Sequence, residues 1–306
     1  MKRKKGLEIN QDSSKNLFYF LMFLAMAAWG ASWVNAKVLS SYINEYELVF
    51  FRNLITSITL IPVLIIMRKY FYINLRSIFL AFIASIIMIV YLKFYFLGTK
   101  FGTASLGGAL VTTLIPINTF LIMALLFGKK IVKKDIFAIL IGALGVLIML
   151  DIFSFSIEQI LSPQNTYFLF ASILWPFLTI TSSKITKTSP MVFTLYMYLF
   201  TVILVTIFFV DIPKIEFEKF DTIFWFNMLS LSIVSTTFAT SIYFIGIEKL
   251  GTNEVSSFIF LVPFFAILFS VIFLGEHLSL SIIVGTILTI YAVKTLNNIK
   301  IFNHKF

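Results

Sequence analysis

Apolar residues in this chain come in unbroken runs rather than in alternation, and short polar clusters separate the runs. A helix needs about 20 mostly apolar residues to cross a hydrocarbon core about 30 Å thick. Ten stretches approach that length: 17–38, 47–67, 75–97, 104–127, 134–151, 166–184, 190–210, 222–246, 253–275 and 279–297. A membrane barrel would instead show segments of about ten residues with alternating faces. The pattern predicts an all-α membrane protein of ten transmembrane helices. A competing reading exists at the start, where basic Met1–Lys5, apolar Leu17–Leu24 and Ala25-Met26-Ala27 have the format of a cleaved signal peptide. The apolar run continues through Trp29 and Val34, long enough to span, so we read it as the first helix.

Composition supports lipid as the solvent. Of 306 residues, 59% are apolar and 12% charged, about half the charge of ordinary soluble domains. The formal charge of +10 would suggest a nucleic-acid partner in a soluble chain, but its distribution points elsewhere. Cytoplasmic loops collect Lys and Arg, and 18 of the 24 basic residues fall in one parity class of loops and termini, including Arg68, Lys69, Lys184, Lys187 and Lys249. The other class holds Lys100, Lys214 and Lys219 against nine acids, Glu276 among them. Both termini are therefore expected in the cytoplasm, as a basic tail over 1–16 and a short one over 298–306. No nucleic acid is implied. With no cysteine and only His277 and His304, neither a metal site nor a cofactor is expected.

An internal repeat runs through the chain at an offset of 147, pairing Pro116 with Pro263, Gly128 with Gly275 and Val146 with Val293. Trp29 answers Trp175 at an offset of 146, and Tyr95-Phe96-Leu97-Gly98 answers Tyr243-Phe244-Ile245-Gly246 with one residue gained or lost on the way. The units are 17–151 and 166–297. Each holds five helices, an odd number, so the two must sit upside down relative to each other. Matched loops agree: Lys129, Lys130, Lys133 and Lys134 stand where the second copy has Glu276, His277, Leu280 and Ser281. Inverted repeats meeting near the midplane are the architecture of many secondary transporters.

Several motifs resemble the EamA type of the drug/metabolite transporter superfamily: Trp29-Gly30-Ala31-Ser32, Phe51-Arg52, the Gly98/Gly102 stretch leading to Pro116, and Pro263 followed by Leu274-Gly275-Glu276 and Gly285. Lys129 departs from the Glu usual after the first-repeat glycine, and Ala138 replaces a glycine. The resemblance implies an exporter of small organic metabolites or drugs in the plasma (inner) membrane, and the departures imply a distinct subfamily.

Candidate residues follow from chemistry at membrane depth. Pro116 and Pro263 fall mid-helix, where proline frees the carbonyl four residues back, at Thr112 and Ile259. They are candidate hinges beside the substrate, or packing kinks with the Thr112 and Thr113 hydroxyls filling the gap. Trp29 and Trp175 lie near helix centres, although membrane tryptophans prefer the interfaces. With Ser32 and Trp33 beside one and Thr179 beside the other, they are candidate cavity walls. Tyr95, Tyr243 and Asn118 offer uncharged hydrogen bonds, while the many hydroxyls of the eighth helix read first as helix–helix glue. Lys37, Arg52 and Lys93 are the three cations within spans. They either make the outer half of the cavity electropositive or reach the outer headgroups.

No Asp or Glu lies in the core of any span, which disfavours proton-coupled exchange of lipophilic cations. The sequence predicts a transporter of anionic or zwitterionic metabolites such as amino acids, with the bilayer and a small molecule as partners. A lipid-linked carrier is the alternative within transport. A membrane enzyme is disfavoured, since no HExxH, Gly-x-Ser-x-Gly, paired membrane carboxylate or phosphate-cradling loop is present. Gly98-xxx-Gly102 and Ala138-xxx-Gly142 suit internal packing or a homodimer, so monomer and homodimer both stand.

Overall fold

The structure is a computed structural model that describes residues 2–128, 130–150, 161–250, 255 and 258–296. Lys129 and the tail over 298–306 lie outside them. The described residues form ten helices and no strand: α1 Lys2–Leu39, α2 Glu45–Ile66, α3 Leu75–Phe101, α4 Ala104–Phe127, α5 Lys133–Met149, α6 Pro163–Ser183, α7 Pro190–Phe208, α8 Thr222–Leu250, α9 Leu261–Leu274 and α10 Leu280–Leu296. Seven of them, α1 to α4 and α6 to α8, are long and apolar enough to cross a membrane.

Local chemistry sets most boundaries. Asn44 opens α2 with a capping box, its side chain accepting from Tyr46 N and Glu47 N while Glu47 accepts from Asn44 N. Thr103 caps α4 and Asp221 caps α8 in the same way. α4 and α9 both end on a glycine with left-handed backbone, Gly128 at φ 67° and Gly275 at φ 64°, a conformation that disfavours any Cβ.

The apolar span of α1, Asn16–Leu39, matches the expected 17–38, but the helix runs back to Lys2, because a polar stretch without proline ends the span without ending the helix. A turn at Ile259–Phe260, in which Val262 N donates to Ile259 O at 3.0 Å, interrupts the ninth expected span: Val255 and Phe258 before it are helical, and α9 resumes at Leu261. Pro263 thus sits in the first turn after a break, whereas Pro116 lies inside an unbroken α4. The Thr112 and Thr113 hydroxyls do not fill the gap at Pro116; they donate to Gly108 O and Ala109 O one turn earlier.

The repeats interleave. α1 packs against α8 and α9 of the second repeat, and α6 packs against α3 and α4 of the first. α2 meets α7, and α5 meets α10. Inversion is visible at the helix ends, where Glu276, just past α9, bonds the first residues of α4, the helix equivalent to α9. Tyr42, just past α1, donates to Asp221 at the start of α8. The end that carries these contacts also carries Glu45, Asp211 and Glu216 and is the acidic end. At the basic end Lys69 pairs with Glu248 and Lys184 lies over the Phe127 ring.

Close helix approach uses small residues. Gly30 of α1 lies against Phe265 and Ala266 of α9, and Gly108 of α4 meets the same Ala266. Gly98 and Gly102 receive Phe168 of α6, and Gly142 receives Ile117, so the small-residue pairs serve packing inside the chain. Gly145 of α5 and Gly285 of α10 face each other so closely that a Cβ on Gly285 would lie 2.5 Å from Gly145 O. Gly285→Ala is expected to force these two helices apart and to cost about 1–3 kcal/mol. Thermal unfolding in detergent measures it, and an unchanged midpoint would show that the crossing tolerates a methyl group.

Candidate functional site

Arg52 sits two turns into α2 and is half-buried. Thr56 and Thr59, four and seven residues on, share its helix face and reach α8, Thr56 Oγ1 donating to Ser232 O (3.2 Å) and Thr59 Oγ1 pairing with Thr237 Oγ1 (2.7 Å). Among the described residues Arg52 has no hydrogen bond and no acidic partner. Its surroundings are aromatic instead. The guanidinium carbon lies 5.8 Å from the Tyr95 ring centre, Tyr95 packs in turn on Tyr91, and Tyr198 holds the position of α7 equivalent to Arg52. All three tyrosines are buried.

These rings belong to one continuous wall. Phe168 packs on Trp33 (6.0 Å between ring centres), Trp33 on Tyr95 (4.5 Å), Tyr95 on Tyr91 (6.1 Å) and Tyr91 on Trp175 (4.9 Å). Tyr95 Oη donates to Ser32 O at 3.0 Å and so fixes the ring beneath Arg52. A guanidinium held over aromatic faces keeps its planar fork available for bidentate binding of a carboxylate.

The other sequence-derived candidates fall elsewhere. Lys37 Nζ donates to Lys100 O (2.9 Å) and Gly102 O (2.6 Å), closing the C-terminal end of α3 within electrostatic range of Glu276. Lys93 lies over the Tyr46 ring at 5.3 Å, and Tyr46 stacks on Phe209 near the acidic end. Trp29 meets Tyr243 (5.2 Å) in a separate apolar cluster with Met22, Met26 and Phe265. Asn118 Nδ2 donates to Ser172 Oγ (2.9 Å), tying α4 to α6. Thr179 is exposed, and its hydroxyl returns to Trp175 O. Pro116 and Pro263 do converge: with Thr112, Thr113 and Ile259 they line one small cavity at the crossing of α4 and α9.

Sequence reasoning missed Tyr91 and Tyr198. Tyr91 stands one helical turn before Tyr95, and Tyr198 is related to Arg52 by the same offset of 146 that relates Trp29 to Trp175. That offset places cation and phenol at equivalent positions of α2 and α7, two helices that pack on each other. Asn35 was also missed; its Nδ2 donates to Ser230 Oγ (2.9 Å). Ser230 opens a π-helical segment, Ser230–Phe238, within α8. There Thr236 and Thr237 donate to the carbonyls five residues back, and Ser235 donates to Ala28 O of α1. A π turn encloses one residue more than an α turn. The segment takes up one of the two residues by which the repeat offset grows from 146 at the tryptophans to 148 at Tyr95 and Tyr243.

At the acidic end the Glu276 carboxylate accepts from Ala104 N (2.7 Å), Ser105 N (2.9 Å) and Ser105 Oγ (2.6 Å). An anion at a helix N-terminus is favoured by the unpaired N–H groups there. Together with Lys37 it fastens the α3–α4 corner to α1 and α9.

Two interleaved, inverted five-helix repeats with broken or loosened helices at their contact define a multi-pass membrane carrier. The chain belongs to the EamA-like transporter family, whose model matches residues 16–151 and 164–297, once per repeat. It is thereby a membrane transporter of the drug/metabolite superfamily. One solved crystal structure is similar in fold, with a TM-score of 0.58 at 16% identity over 92% of this chain and 96% of the other. No curated protein matches the sequence.

Glu276→Gln replaces an acceptor-only carboxylate with an amide whose NH2 opposes the donors of α4. We expect a loss of about 1.5–3 kcal/mol, seen as a lower unfolding midpoint in detergent. Wild-type stability would show that the clamp contributes nothing.

Proposed function

We propose that the protein exports small organic anions or zwitterions, amino acids being the leading class, by alternating access around the contact between its repeats. The observation that carries this reading is Arg52, a cation within a span that lies over the Tyr95 ring of the aromatic wall and has no acidic partner among the described residues. A charge at membrane depth is costly, and a substrate carboxylate is the partner that would offset the cost. Trp33 and Trp175 continue the wall and suit the apolar remainder of such a substrate. Moving parts are supplied by the Pro263 break, the π segment of α8 and the cavity shared by Pro116 and Pro263. In this reading the basic end faces the cytoplasm, both termini included, the membrane is the plasma membrane, and transport runs outward as the family resemblance implies.

The test is uptake of individual labelled L-amino acids and short monocarboxylates into proteoliposomes, with and without an imposed pH gradient. Arg52→Ala is expected to lower transport of the accepted substrates by tenfold or more, in line with the ~1.5–3 kcal/mol of a hydrogen bond to a charged group. Lys93→Ala, which removes a cation already covering Tyr46, should stay within about fivefold, since such cation–π contacts contribute only about 0.5–1 kcal/mol. An Arg52→Ala protein that transports carboxylates as fast as the wild type would sink the assignment.

A further inference from the structure

Helix ends at the basic side carry a second, unrelated feature. α4 and α9 stop on glycines, but α2 stops on Arg68, whose backbone is left-handed at φ 52°. Lys69 N closes the turn by donating to Leu64 O (3.0 Å), a closure that normally selects glycine. Lys187, in the α6–α7 loop, is left-handed as well, at φ 58°. These are the positive-φ residues other than glycine among those described, and both are cations. Local strain of this kind persists where the surroundings require it, often at a ligand clamp.

The two cations share a pocket. Asn74 Nδ2 donates to Thr186 O (2.5 Å), pinning the α2–α3 loop to the α6–α7 loop, and Tyr196 Oη donates to Phe71 O (3.2 Å). Between the loops lies a cavity of about 390 Å³ lined by Arg68, Lys69, Tyr70, Tyr72, Lys187 and Ser189. Lys69 is paired with Glu248 at 3.1 Å, while the side chains of Arg68 and Lys187 have no hydrogen bond or ion pair among the described residues. Ile65 and Ile66 are exposed immediately above, and so are Tyr70 and Tyr72. Exposed isoleucines beside a pocket of tyrosines and cations put an apolar surface next to a positive one, as an acyl chain and its anionic headgroup require.

We propose that this pocket binds a phosphate-bearing anion, the headgroup phosphate of an anionic phospholipid, with Arg68 as the bidentate ligand and Lys187 as the second charge. The site is separate from the Arg52 wall and does not depend on the transport reading.

Full-length protein in detergent is titrated with phosphatidylglycerol, with phosphatidylcholine and with glycerol phosphate, and thermal unfolding is followed. Phosphatidylglycerol is expected to raise the wild-type midpoint by several degrees and phosphatidylcholine to leave it unchanged. The double variant Arg68→Gly/Lys187→Gly keeps the fold, because glycine suits both left-handed positions. It should need at least about tenfold more phosphatidylglycerol for half of the shift. Arg68→Lys/Lys187→Arg, which keeps both charges, should retain most of the response. Response to phosphatidylglycerol alone identifies a lipid site, and an equal response to glycerol phosphate, lost in the glycine variant, identifies a soluble phosphate in the same pocket. No phosphate-dependent shift in the wild type, or one that survives in the glycine variant, overturns the proposal.

Discussion

Backbone N–H and C=O groups find no water in a hydrocarbon core, so each must be satisfied within the chain or inside a wet interior. Continuous helices meet that requirement on their own, and every departure from them must lie where protein surrounds it. The departures here follow the rule. The turn before Pro263, the missing donor at Pro116 and the π segment of α8 all lie at contacts between the repeats, where α4 meets α9 and α8 meets α1 and α2. Serine and threonine hydroxyls serve the same end, Ser235 reaching Ala28 O and Thr56 reaching Ser232 O across helices. Such bonds loosen the α-helical pattern of one helix while fastening it to its neighbour.

Charge is arranged by a related economy. Lys37 closes the C-terminal carbonyls of α3, and Glu276 takes the N-terminal amides of α4, so both meet unpaired backbone at helix ends. Lys93 lies on an aromatic face near the acidic end. Arg52 differs, because it lies over Tyr95, one ring of a phenol and indole wall, which orients a guanidinium without neutralising it. Three cations that look alike as deviations from hydropathy therefore have three different physical roles.

Much of the fold was legible from the linear pattern. Span length is a local requirement, so eight of the ten predicted helices lie within a few residues of the observed ones. α1 and α9 differ from a plain span for opposite reasons: helical backbone outlasts the apolar run in one, and a turn at Ile259–Phe260 interrupts the run in the other. The repeat was legible because matched prolines, glycines and tryptophans survive at nearly constant offsets. The site was legible only in part. Tryptophans and mid-span cations announce themselves by being out of place, but Tyr91 is unremarkable in an aromatic-rich chain until α3 sets it against Tyr95, the ring under Arg52.

The sequence by itself determined that the chain lives in lipid, that it has ten helices in two inverted units, and that charge is segregated between its ends. These are properties of composition and spacing, which lipid reads one segment at a time. Tertiary structure decided which side chains meet: that Lys37 and Glu276 brace a corner, that Trp29 and Trp175 belong to different clusters, and that Arg52 lies over Tyr95. Each such meeting depends on the rotation of a helix about its own axis, about 100° per residue, and on a partner carried by a different helix. Neither quantity is written in any single segment.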